Sequence, residues 1–103
     1  MEALFERDFV KALKKHASIK KAVERKVLPI IEHPLVFGEP LQGNWRGYYS
    51  CPVQRNFIII YLYCAACRSK QDDLAVQCSD CSERADQTLK FLVLGPHDQA
   101  YGL

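Results

Sequence analysis

The sequence has no long uninterrupted run of apolar residues. A membrane-spanning helix needs roughly 20 of them, and no stretch of this chain approaches that length. Residues 1–13 are charged throughout and contain no apolar core of the kind that a secretion signal requires. These absences lead us to expect a cytoplasmic protein with no membrane partner.

The chain also lacks a strong excess of charge of either sign, since its formal net charge is +2. The distribution is less even. Residues 1–30 hold eight Lys and Arg against four Asp and Glu, whereas residues 63–87 hold three against five. A basic first part is compatible with an RNA or phosphate partner and also with an ordinary solvated helix face.

With 103 residues, the chain is expected to form one domain that buries a core without disulfides. Apolar residues recur at spacings of three and four from Glu2 to about His16, which predicts a first helix. Ser18 is a candidate cap for a second helix. Within that helix, Pro29 is expected to cause a kink or to end the regular part near Leu28.

Three strands are predicted after the helices. The first runs from about Arg46 to Val53, the second from Asn56 to Tyr63 and the third from Thr88 to Leu94. The second strand is apolar on both faces, with Phe57, Ile59, Tyr61 and Tyr63 on one and Ile58, Ile60 and Leu62 on the other. Such a strand is usually central and covered on both sides. The fold class expected is therefore α+β, with two helices packed on a small antiparallel sheet.

Four cysteines interrupt this pattern between the second and third strands. Cys64-Ala-Ala-Cys67 and Cys78-Ser-Asp-Cys81 are separated by ten residues. Two such pairs across a short loop are typical of a structural four-thiolate Zn²⁺ site, in which no position is left for a catalytic water. Two disulfides and a redox-active pair are the alternatives. Residues 64–87 are thus expected to be a zinc-ribbon-like insertion. The fifth cysteine, Cys51, is expected to be a buried apolar residue.

Three further motifs carry a family resemblance. Residues 40–48 (PLQGNWRGY) match the pattern L-x-G-x-W-x-G-Y, residues 57–61 (FIIIY) look like W-L-L-I-Y, and residues 95–101 (GPHDQAY) look like G-x-H-x-x-x-F. Together with the order of helices and strands, they resemble the RelE/ParE superfamily of toxins, in its YafQ-like branch. The resemblance covers about residues 5–63 and 88–102. The family's amino-terminal edge strand is expected to be absent, because helical periodicity begins almost at Met1.

The resemblance implies a toxin of a type II toxin-antitoxin system, which cleaves messenger RNA without a metal, usually on the ribosome. It implies a cognate antitoxin, with operator DNA reached only through that antitoxin. His97 matches the catalytic histidine, and Tyr101 matches the aromatic residue that orients the nucleotide. Arg55 is the candidate cation for the phosphate. One face of the second strand, near these residues, would form the floor of a substrate groove, with the cysteine insertion at its far end.

Candidate RNA-binding residues are Arg46, Phe57, Asn56 and Glu39. The chain departs from the family at several of them. Asn56 stands where the branch has a catalytic carboxylate, and Pro52 and Glu39 stand where it has histidines. A family arginine falls on Ile58. These departures keep two alternatives open, namely a non-catalytic binding module with the same fold and a zinc-ribbon adaptor for protein or RNA.

Three other residues have structural interpretations. His16 and His33 are expected to mark helix ends. Trp45 is expected to cover the core, with nucleobase stacking as the alternative.

Overall fold

The most apolar stretch of the sequence forms the centre of a five-stranded sheet. A computed structural model of the chain describes residues 2–54, 56–78 and 80–96. In chain order the elements are β1 Glu2–Phe5, α1 Arg7–Lys15, α2 Lys20–Glu32, β2 Glu39–Pro40, β3 Tyr49–Pro52, β4 Phe57–Tyr63, α3 Cys64–Ser69, α4 Asp73–Val76 and β5 Thr88–Pro96. The strand order is β1-β5-β4-β3-β2. The predicted α+β class is confirmed, and β4 is central as its composition indicated.

Each face of β4 is covered as the alternation of its side chains predicts. Ile59 and Tyr61 belong to the larger core, which the helices cover, while Ile58 and Ile60 belong to a smaller cluster on the opposite face. The largest fully buried side chains of the helix-covered core include Phe9, Val23, Ile30, Tyr61, Leu89 and Phe91, each at most 1% exposed. Because both faces exclude water, the strand needs no polar side.

β1 overturns the prediction that a helix begins at Glu2 and that the family's edge strand is absent. Residues 2–5 instead pair in parallel with β5, from Glu2 opposite Thr88 to Phe5 opposite Phe91. The Phe5 ring stacks on the Phe91 ring at 5.0 Å. Four residues are too few to distinguish a helical from an extended pattern, so the pairing with a distant strand decides the conformation.

The helices also begin and end differently from the prediction. Ser18 lies in a 3₁₀ turn, Ala17–Ile19, and Ile19 precedes α2 without a side-chain cap. Pro29 does not end the regular helix, because α2 continues to Glu32 and the His33 N–H donates to the Pro29 carbonyl at 2.8 Å. Burial of Ile30, which has no exposed surface, offsets the hydrogen bond that proline cannot make. No helix within the described ranges is both long and apolar enough to reach across a bilayer.

The predicted first strand and the loop before it are also placed differently. β3 begins only at Tyr49, because Gly43–Trp45 forms a 3₁₀ turn. Glu39 and Pro40, predicted to be in a loop, pair with Ser50 and Tyr49 as the short edge strand β2. The hydrogen bond from the Leu41 N–H to the Tyr48 carbonyl, at 2.9 Å, continues this pairing.

β5 contains a bulge at Leu92. Ile60 lies opposite Val93, whereas Tyr61 lies opposite Phe91, so Leu92 is an extra residue with no partner in β4. A bulge of this kind bends the strand and increases its twist. It also brings Leu92 and Val93, which are consecutive, into contact with the same cluster on the face away from the helices.

Replacing Gly38 by alanine is expected to destabilise the fold by about 1–3 kcal/mol, because a Cβ there overpacks the core. The new methyl group would lie 2.0 Å from the Tyr61 hydroxyl oxygen. That hydroxyl donates to the Pro34 carbonyl at 2.5 Å, and Tyr61 has no exposed surface. Denaturant unfolding would measure the loss. The nearby exposed Leu35→Ala should change stability by less than about 0.5 kcal/mol; equal effects of the two variants would contradict the prediction.

Candidate functional site

The three residues predicted to carry the chemistry, Arg55, His97 and Tyr101, lie outside the described residues. The described neighbours of Arg55 and His97 in the sequence lie together. Pro96, the last residue of β5, is in register with Phe57, the first residue of β4. The Phe57 N–H donates to the Gln54 carbonyl at 3.0 Å, which closes the turn before β4. We name this edge of the sheet, formed by Gln54, Asn56, Phe57 and Pro96, the Phe57 end.

His16 also reaches the Phe57 end. It caps the carboxyl end of α1, where its N–H donates to the Ala12 carbonyl at 2.9 Å. Its imidazole lies 4.8 Å from the Phe57 ring, in an edge-on contact. The sequence indicated only a helix end for His16, since nothing in its spacing connects it to Phe57. The fold thus supplies this end with a histidine that sequence reasoning did not select for the site.

Asn56 and Glu39 are both exposed, but they occupy different places. Asn56 is in the turn at the Phe57 end, where its amide can donate and accept hydrogen bonds but cannot transfer a proton as a carboxylic acid does. Glu39 lies on β2 opposite Ser50, on the edge strand. Pro52 lies opposite Ile58 near the end of β3. Glu39 and Pro52 occupy the positions at which the resemblance implies histidines, and neither residue has an imidazole.

Arg46 lies at the opposite end of the sheet. It precedes β3, whose first residue, Tyr49, is opposite Tyr61. Four residues of β4, a distance of roughly 13 Å, separate Tyr61 from Phe57. The Arg46 Nε donates to the Asp72 carboxylate at 2.8 Å, and the arginine side chain remains 62% exposed. Its remaining N–H groups are therefore accessible to an anion. An anion bound there would lie far from Asn56, at the other end of the sheet.

A polar cleft of about 220 Å³ lies next to Arg46. Its lining includes Gln42, Tyr48, Lys70 and the Asp72 carboxylate as well as Arg46. The Lys70 ammonium donates to the Tyr49 hydroxyl at 3.3 Å and lies 5.7 Å from the centre of that ring. Two cations beside a cleft of this size can bind a phosphate group of a nucleic acid.

The face of β4 away from the helices is not the open groove floor that we expected. Ile60 has no exposed surface, and Ile58 and Val93 are less than 10% exposed. Leu41, Trp45 and Tyr48 pack against them. The prediction that Trp45 covers the core is confirmed. The apolar side chains on this face require cover of this kind because water is a poor solvent for them.

The second candidate site is a small cavity of about 10 Å³ that all four paired cysteines line. Cys64 and Cys67 are buried in α3, and their spacing of three residues puts them on one face of that helix. The first pair therefore lies in a short helix of the segment that the sequence indicated as zinc-ribbon-like. Cys78 and Cys81 are half-buried, and the Cys81 N–H faces the Cys78 carbonyl at 3.5 Å across a turn. Leu62, Arg68, Val76 and Lys90 complete the lining.

The donor set at this cavity fits zinc in kind and number, since four thiolates are the usual ligands of structural Zn²⁺. Among the described side chains, however, no three His, Cys, Asp or Glu residues are arranged so that they could hold a metal ion without movement. Binding would therefore require the two cysteine pairs to close on the ion. A bound Zn²⁺ would cross-link the segment and leave no coordination position for water.

Charged side chains connect this cysteine-lined cavity to the sheet. Arg68 donates to the Arg84 carbonyl at 2.6 Å, to the Asp86 carboxylate at 2.6 Å and to the Cys81 carbonyl. Lys90, only 4% exposed on β5, is hydrogen bonded to Asp80. Hydrogen bonds from Lys90 and Arg84 lower the pKa of Asp80 to about 2. The Asp80 carboxylate is therefore ionised at neutral pH, and it holds the second cysteine pair against β5.

Comparison with known proteins identifies the fold. No family model and no curated protein matches the chain. Solved structures do. YafQ from E. coli strain BL21(DE3) has a TM-score of 0.66 at 19% identity over 98% of both chains, and a mutant of E. coli YafQ has a TM-score of 0.64 at 20% identity with the same coverage. The chain has the YafQ fold.

A third structure supports the same assignment. The YoeB/ParE toxin from Agrobacterium tumefaciens has a TM-score of 0.64 at 14% identity, covering 94% of this chain and 99% of its own. Its match and those of YafQ extend over nearly the whole of each protein. At such identities the likeness concerns the fold, and the function must be argued from the residues of this chain.

Proposed function

We propose that this protein is the toxin of a type II toxin-antitoxin system and that it acts as a metal-independent endoribonuclease on messenger RNA at the ribosome. The fold shared with YafQ and the YoeB/ParE toxin supports the toxin assignment. The observation that carries the proposal for the site is the register at the Phe57 end. β5 ends at Pro96 opposite Phe57, and His97 is the next residue of the chain.

The proposed chemistry is attack of a ribose 2′ hydroxyl on the adjacent phosphate. A base takes the 2′ proton, an acid protonates the leaving 5′ oxygen, and a cation stabilises the charge of the phosphorane. We assign proton transfer to His97, charge stabilisation to Arg55 and orientation of the nucleotide to Tyr101. The Phe57 ring would stack against a nucleobase of the RNA. His16 lies 4.8 Å from the Phe57 ring and is a second imidazole available at this end.

The polar cleft next to Arg46 would bind RNA outside the cleavage site. Arg46 and Lys70 lie roughly 13 Å or more from the Phe57 end along β4, which is about four nucleotides at the roughly 3.4 Å spacing of a stacked strand. Contacts to phosphates give affinity without sequence preference. In this proposal Arg46 holds the RNA strand in place, and it takes no part in the bond cleavage.

The antitoxin would bind a groove between α1 and α2. The groove has a volume of about 420 Å³ and is lined by one charged residue, Glu24, and by the apolar residues Phe5, Phe9, Val10, Leu13, Val23, Val27 and Leu28. Leu28 is 64% exposed and Phe5 is 46% exposed. Exposed apolar residues in a groove are typical of a surface that binds an amphipathic segment. The excess of Lys and Arg in residues 1–30 would favour an acidic one.

A non-catalytic binding module is the second candidate, and Asn56 favours it. An exposed amide stands where the family resemblance places a carboxylate, and Pro52 removes an imidazole. The same fold would then keep the α1–α2 groove while the site at the Phe57 end lost its chemistry. The two candidates are distinguished by whether the protein cleaves RNA.

Inducible expression in a bacterial host tests the proposal. We expect growth arrest, relief of the arrest when the neighbouring open reading frame is expressed as well, and new messenger ends that carry 5′ hydroxyl groups. Purified protein should produce these ends in a translating extract and not on the same RNA without ribosomes. Normal growth together with intact messenger RNA would exclude the endoribonuclease and leave the binding module.

A further inference from the structure

The cysteine-bearing segment is poorly stabilised by burial alone. From Ser69 to Gln87 most of the described side chains are exposed, including Leu74 at 74%. Two of its residues, Gln71 and Gln77, have left-handed backbone angles, with φ of 60° and 54°. Such angles are unfavourable for residues other than glycine, by roughly 1–2 kcal/mol each. A segment of this kind needs a cross-link to keep one conformation.

The folded segment nevertheless packs closely on the loop before β3. A Cβ on Gly47 would lie 2.6 Å from a Val76 methyl group and 3.1 Å from the Asp72 Cβ. The Asp72 N–H donates to the Cys67 carbonyl at 2.8 Å, and the Asp72 carboxylate accepts from Arg46. The backbone of the first cysteine pair is therefore connected through one residue to Arg46.

The second cysteine pair is held next to the first by Arg68. Its guanidinium extends from α3 to the carbonyl groups of Cys81 and Arg84. Together with Lys90 at the cavity wall, Arg68 provides positive charge where four thiolates and one Zn²⁺ would carry a net charge of −2, since 4 × (−1) + 2 = −2. The cavity of about 10 Å³ admits a bare ion and no substrate. Zn–S bonds of about 2.3 Å would form when the two cysteine pairs close on the ion.

We propose that Cys64, Cys67, Cys78 and Cys81 bind one Zn²⁺ in a tetrahedral structural site, which fixes residues 64–87 against Gly47 and thereby positions Arg46. The alternatives of paired disulfides or a redox-active dithiol are outcomes of the test. The site does not depend on RNA cleavage, so it stands or fails separately from the endoribonuclease.

Metal analysis of the full chain tests the site directly. Protein purified under reducing conditions from zinc-supplemented cells is expected to contain one equivalent of zinc. Replacing the zinc with Co²⁺ should give the visible absorption of a tetrahedral four-thiolate complex. Removing the metal with a chelator should lower the Tm by about 10 °C or more, and adding Zn²⁺ should restore it. Absence of both bound zinc and the cobalt spectrum, or recovery of two disulfides in place of thiols, would overturn the proposal.

Single substitutions add a matched control within the chain. Cys64→Ser and Cys78→Ser should each lose the tetrahedral cobalt spectrum. Each should also bind Zn²⁺ at least tenfold more weakly than the unmodified chain. Cys51→Ala removes a cysteine that lies in the helix-covered core, outside the cavity, and should keep one equivalent of zinc. Equal metal loss in Cys51→Ala would overturn the assignment. If the serine variants do not fold, the proposal is tested by the Tm of the unmodified chain before and after chelation and after Zn²⁺ is added back.

Trp45, the single tryptophan of the chain, reports the second part of the proposal. It lies next to Arg46 and packs on the cluster of Ile58, Ile60 and Val93. Removing zinc should release the contact of Asp72 and Val76 with Gly47 and shift the Trp45 fluorescence to longer wavelength. Loss of zinc with unchanged emission would show that the metal does not control the loop that carries Arg46.

Discussion

Replacing His97 by alanine is expected to lower the rate of messenger cleavage by about 10²–10⁴-fold, which is the contribution of a positioned general acid or base. The expectation rests on the Phe57 end, where β5 finishes at Pro96 beside Phe57. Since the substitution removes a proton-transfer group, RNA binding and the unfolding temperature should change little. Counting cleaved ends over time in a translating extract measures the rate, and relief of growth arrest is the corresponding effect in cells.

The other two histidines supply the controls for this prediction. His33 follows α2, is exposed and lies near Phe37, so His33→Ala should cleave at the unmodified rate. His16 touches Phe57. If His16→Ala removed cleavage and His97→Ala retained it, the proton-transfer role would belong to His16. Full activity in both variants would reject histidine catalysis at this end of the sheet.

Replacing Phe91 by alanine is expected to remove about 3–5 kcal/mol of stability, the usual cost of deleting a buried phenylalanine side chain. Phe91 has no exposed surface and is in contact with the rings of Phe5, Phe9 and Tyr61 at centroid distances of 5.0, 5.7 and 5.9 Å. It therefore joins β1 and α1 to the centre of the sheet. The Tm should fall by roughly 12–40 °C, as measured by calorimetry or circular dichroism.

Phe37→Ala is the matched control, because it removes the same side chain from a position that is 45% exposed. We expect it to lower the stability by only about 1 kcal/mol, since close to half of the Phe37 surface is already in contact with water. A loss in Phe91→Ala no larger than that in Phe37→Ala would mean that β1 and α1 are not joined to the sheet through this ring cluster.

The central strand could be predicted because its sequence carries the information locally. Seven apolar residues on both faces between Phe57 and Tyr63 leave few alternatives to a covered central strand, and the structure has Ile59 and Ile60 at zero exposure on opposite sides. The pairing of β4 with its neighbours followed from the turns and from the β-branched composition. These are properties of short stretches, and a single sequence reveals them.

The edge strands could not be predicted in the same way. β1 pairs with β5, more than 80 residues later in the chain, and β2 consists of Glu39 and Pro40. Neither has an alternating pattern long enough to read, and proline argues against a strand. Their conformation is set by the partner strand and not by local preference, so it becomes visible only when the sheet is assembled.

The candidate site shows the same division. Sequence motifs predicted the roles of His97 and of the paired cysteines, because these predictions depend only on residue type and spacing. The contact of His16 with Phe57 and the ion pair of Arg46 with Asp72 depend instead on how separate elements pack. Asp72 lies 26 residues from Arg46 in a segment that the family resemblance does not cover. No sequence pattern connects the two residues.

The extra residue at Leu92 has a consequence for everything that follows it in β5. Regular alternation from Leu89 and Phe91 would direct Val93 toward the helices; after the bulge it is Leu94 that belongs to the helix-covered core, and Val93 lies on the opposite side. Every position from Val93 to Pro96 thus has the opposite parity to an uninterrupted strand. Deleting Leu92 would leave a regular strand with Val93 and Leu94 on their present faces, whereas straightening the bulge with Leu92 retained would exchange inside for outside at the end of the sheet where the proposed catalytic histidine follows.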